Sequence, residues 1–347
     1  MTSFQVLVQP TGHSFPVQAG QTVLDGALAA GIVLPYSCRN GACSTCKGRV
    51  VTGEYDAGMY PAQVLSPEEL ADGYTLFCQA RPESDMTVEA REVRLATDIQ
   101  IRKLPARVQT LERVAADVMV IKVQLPAADP FRYYAGQYVE VILKDGARRS
   151  YSMATAPHQG SPLELHIRHM PGGRFTDHVF GAGDTQMKER EILRLEGPFG
   201  SFFLREDTDK PVVLIASGTG FAPVQAIVQH MIHTQSTRRA TLYWGGRRPQ
   251  DIYMHDLAAS WREALPGFEF VPVVSDALPE DGWTGRTGFV HDAVLTDLPD
   301  LNGHEVYACG APVMVDAARR SFIGQCGLPE AAFFADAFTS KADTISG

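Results

Sequence analysis

No stretch of this 347-residue sequence approaches 18 consecutive apolar residues, so no membrane-spanning helix is expected. An excess of positive charge is missing too. Lys and Arg number 31 against 40 Asp and Glu, and the net charge of −9 argues against nucleic acid as a partner. Six cysteines in a chain this long do not make the disulfide-dense pattern of a small secreted domain. The opening residues, Met1-Thr2-Ser3-Phe4-Gln5-Val6, have neither the basic start nor the apolar core of a signal peptide, and a cytoplasmic location is expected. Internal repeats and low-complexity tracts are absent from the sequence. What is there is globular: 45% hydrophobic and 20% charged residues, over a length that suits two or three domains.

Three patterns follow one another. Residues 1–93 read as a small β-grasp-like unit: Phe4 to Val8 alternates as a strand, Pro10-Thr11-Gly12 turns, and Ser14 to Val17 returns. Thr22-x-x-Asp25 resembles a capping box, opening a helix that Gly31 stops. Ser66-Pro67-Glu68-Glu69 combines a Ser cap, Pro at the first helical position and Glu at the third. Leu76-Phe77-Cys78 and Met86 to Ala90 read as the last strands of this unit. The segment holds ten acidic and five basic side chains, a surface that either steers a basic partner or is simply well solvated.

Residues 94–104 show weak periodicity and are expected to form a linker. Over 105–207 short strands follow at close spacing, among them Arg107–Leu111, Val118–Leu125, Arg149–Ser152 and Leu163–Arg168, which predicts an antiparallel β-barrel. Over 208–347 apolar strands such as Val212–Ala216 and Val306–Cys309 alternate with helices such as Pro223–His233, the pattern of a doubly wound parallel sheet. The expected fold class is multidomain, α+β followed by α/β.

The cysteines carry the most specific signal. Cys38, Cys43, Cys46 and Cys78 are spaced C-x4-C-x2-C with 31 residues before the last, the arrangement that holds a [2Fe–2S] cluster in plant-type ferredoxins. Between the ligands nearly every residue is small, polar or Gly, which lets backbone N–H groups approach bridging sulfides. Zinc is the alternative for four thiols, but it favours C-x2-C pairs at both ends, and Cys78 stands alone.

Two further motifs fit a flavin dinucleotide. In Arg149-Ser150-Tyr151-Ser152 an Arg fork can grip a pyrophosphate, a Tyr can stack on the isoalloxazine, and a Ser can bond its reactive edge. Gly172-Gly173-Arg174-Phe175-Thr176 places glycines before a helix start, where exposed N–H groups take phosphate. For a pyridine nucleotide, Ser217-Gly218-Thr219-Gly220-Phe221-Ala222-Pro223 supplies the strand, glycine turn and helix that admit a pyrophosphate. Cys309-Gly310-Ala311-Pro312 ends a later strand on the same side, beside the expected nicotinamide, although a buried structural thiol is an equally ordinary role for Cys309. Arg247 and Arg248 end another strand and could reach adenosine or its phosphates, or simply face solvent. The histidines make no metal site in this reading, and Cys326 has no such context.

In this order the motifs resemble the ferredoxin–NAD(P)H reductase superfamily, in the subgroup with an N-terminal plant-type ferredoxin. Its members include reductase components of ring-hydroxylating dioxygenases and multicomponent monooxygenases, and enzymes named CDP-6-deoxyglucoseen reductases. Leu165-His166-Ile167-Arg168-His169, Tyr307-Ala308-Cys309-Gly310 and Phe333-Phe334-Ala335-Asp336-Ala337-Phe338 resemble the last group most. The resemblance implies that Arg149, Tyr151 and Ser152 bind FAD with help from His166, Arg168, Gly173 and Thr176. It implies that Gly218, Thr219, Gly220, Pro223, Cys309, Gly310, Pro312 and Met314 line the nucleotide site, and that Phe338 covers a flavin face. Ser217 replaces a frequent Gly and Thr176 a frequent Ser, both retaining size or hydroxyl.

The expected function is an NAD(P)H-dependent reductase that passes electrons through FAD and the cluster to a partner enzyme, either a sugar dehydrase or an oxygenase component. Ser152 and Cys309 are expected nearest the hydride path, as positioning groups. NADH is the expected donor, with NADPH the alternative. A stand-alone small-molecule reductase and a passive ferredoxin-type carrier are the competing classes.

Overall fold

The computed structural model describes residues 2–95, 99–127 and 130–338. Residues 96–98 of the expected linker and 339–347 of the expected nucleotide domain lie outside that set. The described chain forms two compact units. Of the described residues, one unit gathers 2–95 with Gly200–Phe202 and Ala335–Phe338; the other holds those between Ile99 and Phe199 and Phe203–Phe334.

In the first unit five strands make a mixed sheet in the order His13–Gln18, Ser3–Gln9, Met86–Glu89, Lys47–Thr52, Tyr74–Leu76. Met86–Glu89, last of the five in sequence, is central in space: it runs parallel to Ser3–Gln9 and antiparallel to Lys47–Thr52. Val6, Val8, Phe15, Val17 and Val88 alternate inward and are at most 1% exposed. The helix Val23–Ala29 crosses that face, and the Thr22 hydroxyl accepts the Asp25 N–H at 3.1 Å. The capping box at Ser66 closes fully, Ser66 Oγ accepting from Glu69 N at 3.1 Å and Glu69 Oε2 from Ser66 N at 2.7 Å.

The second unit opens with a six-stranded antiparallel sheet, Arg148–Ser152, Tyr138–Ile142, Ile192–Phe199, Arg102–Ala115, Val118–Gln124, Leu163–Arg168. Its two edges meet: Met153 bridges Leu165, and Ala154 N donates to Glu164 O at 2.9 Å, which closes a barrel. The strand expected over Arg107–Leu111 runs from Arg102 to Ala115, so the last residues of the expected linker already belong to the barrel. It is that long because it pairs with Ile192–Phe199 along its first half and with Val118–Gln124 along its second.

A six-stranded sheet follows, in the order Arg286–Thr287, Phe268–Val274, Ala240–Gly246, Val212–Ser217, Glu305–Gly310, Phe333–Ala337, its first five strands parallel. Val212 to Ala216 and Val306 to Cys309 are buried without alternation, as strands covered on both faces must be. Phe221, at the start of the helix Phe221–His233, stacks on Trp244 with centroids 3.9 Å apart and planes 3° from parallel, fixing that helix to the sheet. Two strands, Arg286–Thr287 and Phe333–Ala337, lack a strong strand signature in the sequence. The division between the units falls inside the second of these, between Phe334 and Ala335.

Candidate functional site

The cysteine loop of the first unit is bent by three left-handed residues, Arg39 (φ 58°), Gly41 (φ 84°) and Ser44 (φ 52°). Two of these are not glycine, a cost the loop accepts to turn its N–H groups inward. Backbone N–H groups of Asn40, Thr45 and Gly41 lie against the sulfurs of Cys38, Cys43 and Cys78 respectively. Arg39 is anchored outward to Asp25 at 3.1 Å.

The thiols come as two hydrogen-bonded pairs, Cys38 with Cys43 and Cys46 with Cys78. In each pair one sulfur is held toward the thiolate by its partner: Cys43 falls to about 6 and Cys78 is lowered. Cys38 and Cys46, the donors, are pushed well up by the same bonds, by burial and by their neighbours' charge. Four sulfurs so close, three of them on buried residues, cannot all ionise unless a cation joins them. Two pairs of thiols would suit a two-iron cluster better than one zinc.

In the second unit the expected residues gather where the barrel meets the ends of the parallel strands. Two turns cross there. A Cβ on Gly220 would lie 2.2 Å from the Cys309 carbonyl oxygen, and one on Gly310 2.3 Å from Ser217 Oγ. Only bare backbone passes at that separation, and Gly310 also holds φ +132°. Ser217, the residue that departs from the family pattern, uses its hydroxyl to accept Ala311 N–H at 3.0 Å and ties the turns together. Thr219 and Pro223 are buried in the first turn and its helix; Cys309 is fully buried, Pro312 opens the helix Pro312–Gln325, and Met314 is buried beneath it. Such a crossing of bare turns is the cradle a dinucleotide pyrophosphate needs.

The barrel presents the strand Leu163–Arg168 to this crossing. Leu163, Leu165 and Ile167 fill the barrel core, so Glu164, His166 and Arg168 face the other way. His166 Nε2 meets Glu164 Oε1 at 3.0 Å and its Nδ1 meets the Tyr253 hydroxyl at 2.8 Å. Gln225 donates to the same Glu164 oxygen at 2.8 Å, and Lys122 stands 3.5 Å from the other. Burial pushes Glu164 up, but the His166 and Gln225 bonds and the Lys122 charge outweigh it, leaving the carboxyl at about 2. Burial, with Glu164, Asp117 and Cys309 nearby, raises Tyr253 well above the ordinary tyrosine range. Arg168 is paired with Asp117 at 2.8 Å, and a Cβ on Gly218 would sit 3.3 Å from its guanidinium.

On the strand Arg148–Ser152, Arg149 and Tyr151 share one face; Tyr151 tilts against Phe175 at 5.4 Å, and Ser152 is buried opposite Tyr138. Thr176 donates to Met170 O at 2.8 Å and a Cβ on Gly173 would meet its hydroxyl at 2.7 Å, so these two residues fasten the turn 170–176. Of the arginine pair, Arg248 forms a forked bond to Asp281 at 2.6 and 2.7 Å, while Arg247 is exposed. Phe338 lies with the cysteines in the first unit and is half-buried. Sequence reasoning missed Glu164, Gln225 and Tyr253, whose partners are 61 and 87 residues apart. It also missed Ser37, Ser201 and Asp336, the last of them within the string Phe333–Phe338 that carries part of the family resemblance.

Comparison with known proteins finds the three expected kinds of domain in the expected order. Residues 6–83 match the 2Fe-2S iron-sulfur cluster binding domain, 105–204 the oxidoreductase FAD-binding domain and 214–320 the oxidoreductase NAD-binding domain. The chain is 39% identical over 336 residues to the CDP-6-deoxy-L-threo-D-glycero-4-hexulose-3-dehydrase reductase of Yersinia pseudotuberculosis, covering 97% of this chain and 98% of that one. It is 34% identical over 338 residues to reductase component 2 of the terephthalate 1,2-dioxygenase of a Comamonas species, covering 97% of each. Among solved structures, an Amycolatopsis cytochrome P450 reductase superposes with a TM-score of 0.77 at 36% identity, over 97% of this chain and 99% of that one. Paired thiols, a closed barrel and crossed glycine turns in one polypeptide agree with those matches, and the chain belongs to the iron–sulfur flavoprotein reductases, oxidoreductases that join a 2Fe-2S domain to FAD- and NAD-binding domains.

Proposed function

We propose that this reductase draws electrons from NADH and delivers them singly to a separate enzyme, a dehydrase acting on a CDP-linked 6-deoxy sugar. When bound, the three cofactors supply the redox chemistry: a hydride from NADH onto the flavin, then its two electrons, one at a time, through the cluster. The chain's own residues bind and align. Gly218, Thr219 and Gly220 offer backbone N–H groups to the nucleotide pyrophosphate, and Arg149 grips that of FAD. Tyr151 supports the flavin ring, and Ser152 and Cys309 border the path of the hydride. The Glu164–His166–Tyr253 chain keeps the barrel strand in register with the glycine turns, so that two cofactors held by different folds meet in one geometry. Cys38, Cys43, Cys46 and Cys78 hold the cluster.

The observation that carries this reading is the occurrence of two thiol pairs and two dinucleotide-type folds in one chain. The test is anaerobic addition of NADH to the purified protein: flavin absorbance falls first and cluster absorbance follows. Flavin bleaching with an unchanging cluster would refute the internal relay. The higher identity to the dehydrase reductase, 39% against 34% for the dioxygenase component, supports the dehydrase as acceptor. An oxygenase component is the second reading, supported by the P450 reductase likeness. Purified dehydrase and oxygenase, each offered as acceptor to the NADH-reduced protein, separate the two.

A further inference from the structure

We infer that Asp336 and Ser201 are positioning residues of the cysteine loop, gripping Tyr36 and Ser37 from parts of the chain that lie outside the ferredoxin-type sequence. The inference rests on the reading of the four thiols as cluster ligands. Gly200–Phe202 follows the last barrel strand and Ala335–Phe338 ends the described chain, yet both belong to the compact unit of the cysteines. Ser37, the residue before Cys38, donates its hydroxyl to Asp336 Oδ1 at 2.5 Å across 299 positions of sequence. Tyr36 is held on both sides of its peptide: its N–H donates to Ser201 Oγ at 2.8 Å, and its carbonyl accepts from Ser201 N at 3.1 Å and from Ser201 Oγ at 2.9 Å.

All four residues are buried, none more than 8% exposed, so water does not compete for these bonds. A carboxylate buried to 5% exposure is costly unless its bonds are satisfied, and the Ser37 hydroxyl satisfies one of them. The remainder of the loop runs through left-handed Arg39 and Ser44, conformations that persist only where the surroundings over-determine them. Tyr36 and Ser37 are the entry to that strained path. Fixing them fixes where Cys38 starts, and with it the N–H groups that face the sulfurs. Supporting groups of this kind tune and stabilise a metal centre without touching it.

The test uses the full-length, cofactor-loaded protein and four variants: Asp336→Ala, Asp336→Asn, Ser37→Ala and the double Ser37→Ala/Asp336→Ala. Iron, sulfide and flavin contents are measured alongside the visible circular dichroism, the electron paramagnetic resonance of the reduced cluster and its midpoint potential. Asp336→Ala is expected to shift the resonance and the potential and to shorten cluster lifetime under a chelator roughly fivefold, the effect of one buried hydrogen bond. Asp336→Asn keeps an acceptor for Ser37 and retains the wild-type spectrum. The double variant falls short of the sum of the two single effects, because both single changes remove the bond the two residues share. Flavin content stays at the wild-type level throughout, which separates loop disturbance from misfolding. A loaded wild type with Asp336→Ala identical to it in spectrum, potential and lifetime overturns the inference alone. A wild type that holds no iron or sulfide after anaerobic reconstitution overturns the reading of the thiols and the inference with it.

Discussion

Around the four thiols, side chains make the site; at the crossing of the glycine turns, their absence does. The cysteine loop is short in sequence, bent by residues in left-handed conformations and crowded with sulfur whose charge needs iron to balance it. The crossing brings Gly220 against Cys309 and Gly310 against Ser217, residues about 90 apart in sequence whose backbones touch. A ligand set fails when one donor is lost, because the metal is the cohesion. A packed crossing fails when one carbon is gained, because nothing there can move aside. The two regions should therefore answer opposite kinds of mutation.

The largest effect is expected at the thiols. Cys46→Ser removes one member of the Cys46–Cys78 pair, and iron and sulfide in the purified protein should fall to background while flavin content holds. NADH oxidation with ferricyanide, a small acceptor that can draw on flavin directly, should stay close to wild type, whereas reduction of a protein acceptor should vanish. Retained cluster absorbance would break the assignment of that pair.

Next comes the crossing. Gly220→Ala places its Cβ 2.2 Å from the carbonyl oxygen and 2.6 Å from the carbonyl carbon of Cys309, both backbone atoms. Overpacking of this kind costs about 1–3 kcal/mol. The KM for NADH should rise on the order of tenfold, a 1.4 kcal/mol loss of binding. Gly303→Ala, with open space around it and an ordinary φ, is the control and should leave both stability and KM unchanged. Equal effects in steady-state kinetics and thermal melts would remove the crossing from the nucleotide site.

The same contrast explains what could be read in the sequence. C-x4-C-x2-C is legible because the chemistry demands those residues at that spacing, and the glycine strings are legible because few other residues fit a bare turn. The capping box at Ser66 and the unbroken apolar strands of the parallel sheet were visible for similar local reasons. Contacts made by ordinary residues across long separations leave no local mark. Glu164 reads as the polar residue of an alternating strand, Gln225 as a helix residue and Tyr253 as a loop aromatic, until the fold joins them. His166 is expected near the flavin from the resemblance alone, and its bonds to Glu164 and Tyr253 are contacts that no local pattern announces. Arg94–Leu95, within the expected linker, pairs with Ile32–Val33, a match too short to show as periodicity.

Glu164 gives a mid-sized prediction that belongs to the second region only. Its carboxyl titrates at about 2 in the fold, against an ordinary value of 4.5. A depressed acid contributes stability that is complete above its unfolded value and is lost as pH falls toward the folded one. The contribution is on the order of 3 kcal/mol at neutral pH and should disappear between about pH 5 and pH 2. Glu164→Gln keeps a hydrogen-bonding group but cannot titrate. Its denaturation midpoint in urea should fall below wild type at pH 7, and the gap should close as the pH is lowered. A gap that stays constant with pH would show that Glu164 acts by shape alone.

The smallest effect separates two neighbouring arginines. Arg248 spends its guanidinium on Asp281, which is lowered by that bond, whereas Arg247 is exposed at the end of the strand Ala240–Gly246. An Arg occupied by a forked ion pair cannot also clamp a phosphate, so of these two Arg247 is the one placed to meet a nucleotide 2′-phosphate. Arg247→Ala should raise the KM for NADPH by a few-fold, in keeping with an exposed charge contact of about 1 kcal/mol, and leave that for NADH as it was. Arg248→Ala should change neither KM and should instead lower the melting temperature slightly, by releasing Asp281 from its partner. If Arg248→Ala were the variant that altered NADPH use, the ion pair with Asp281 would have to open on binding, and the nucleotide region would prove as dependent on charged side chains as the cysteine loop is on sulfur.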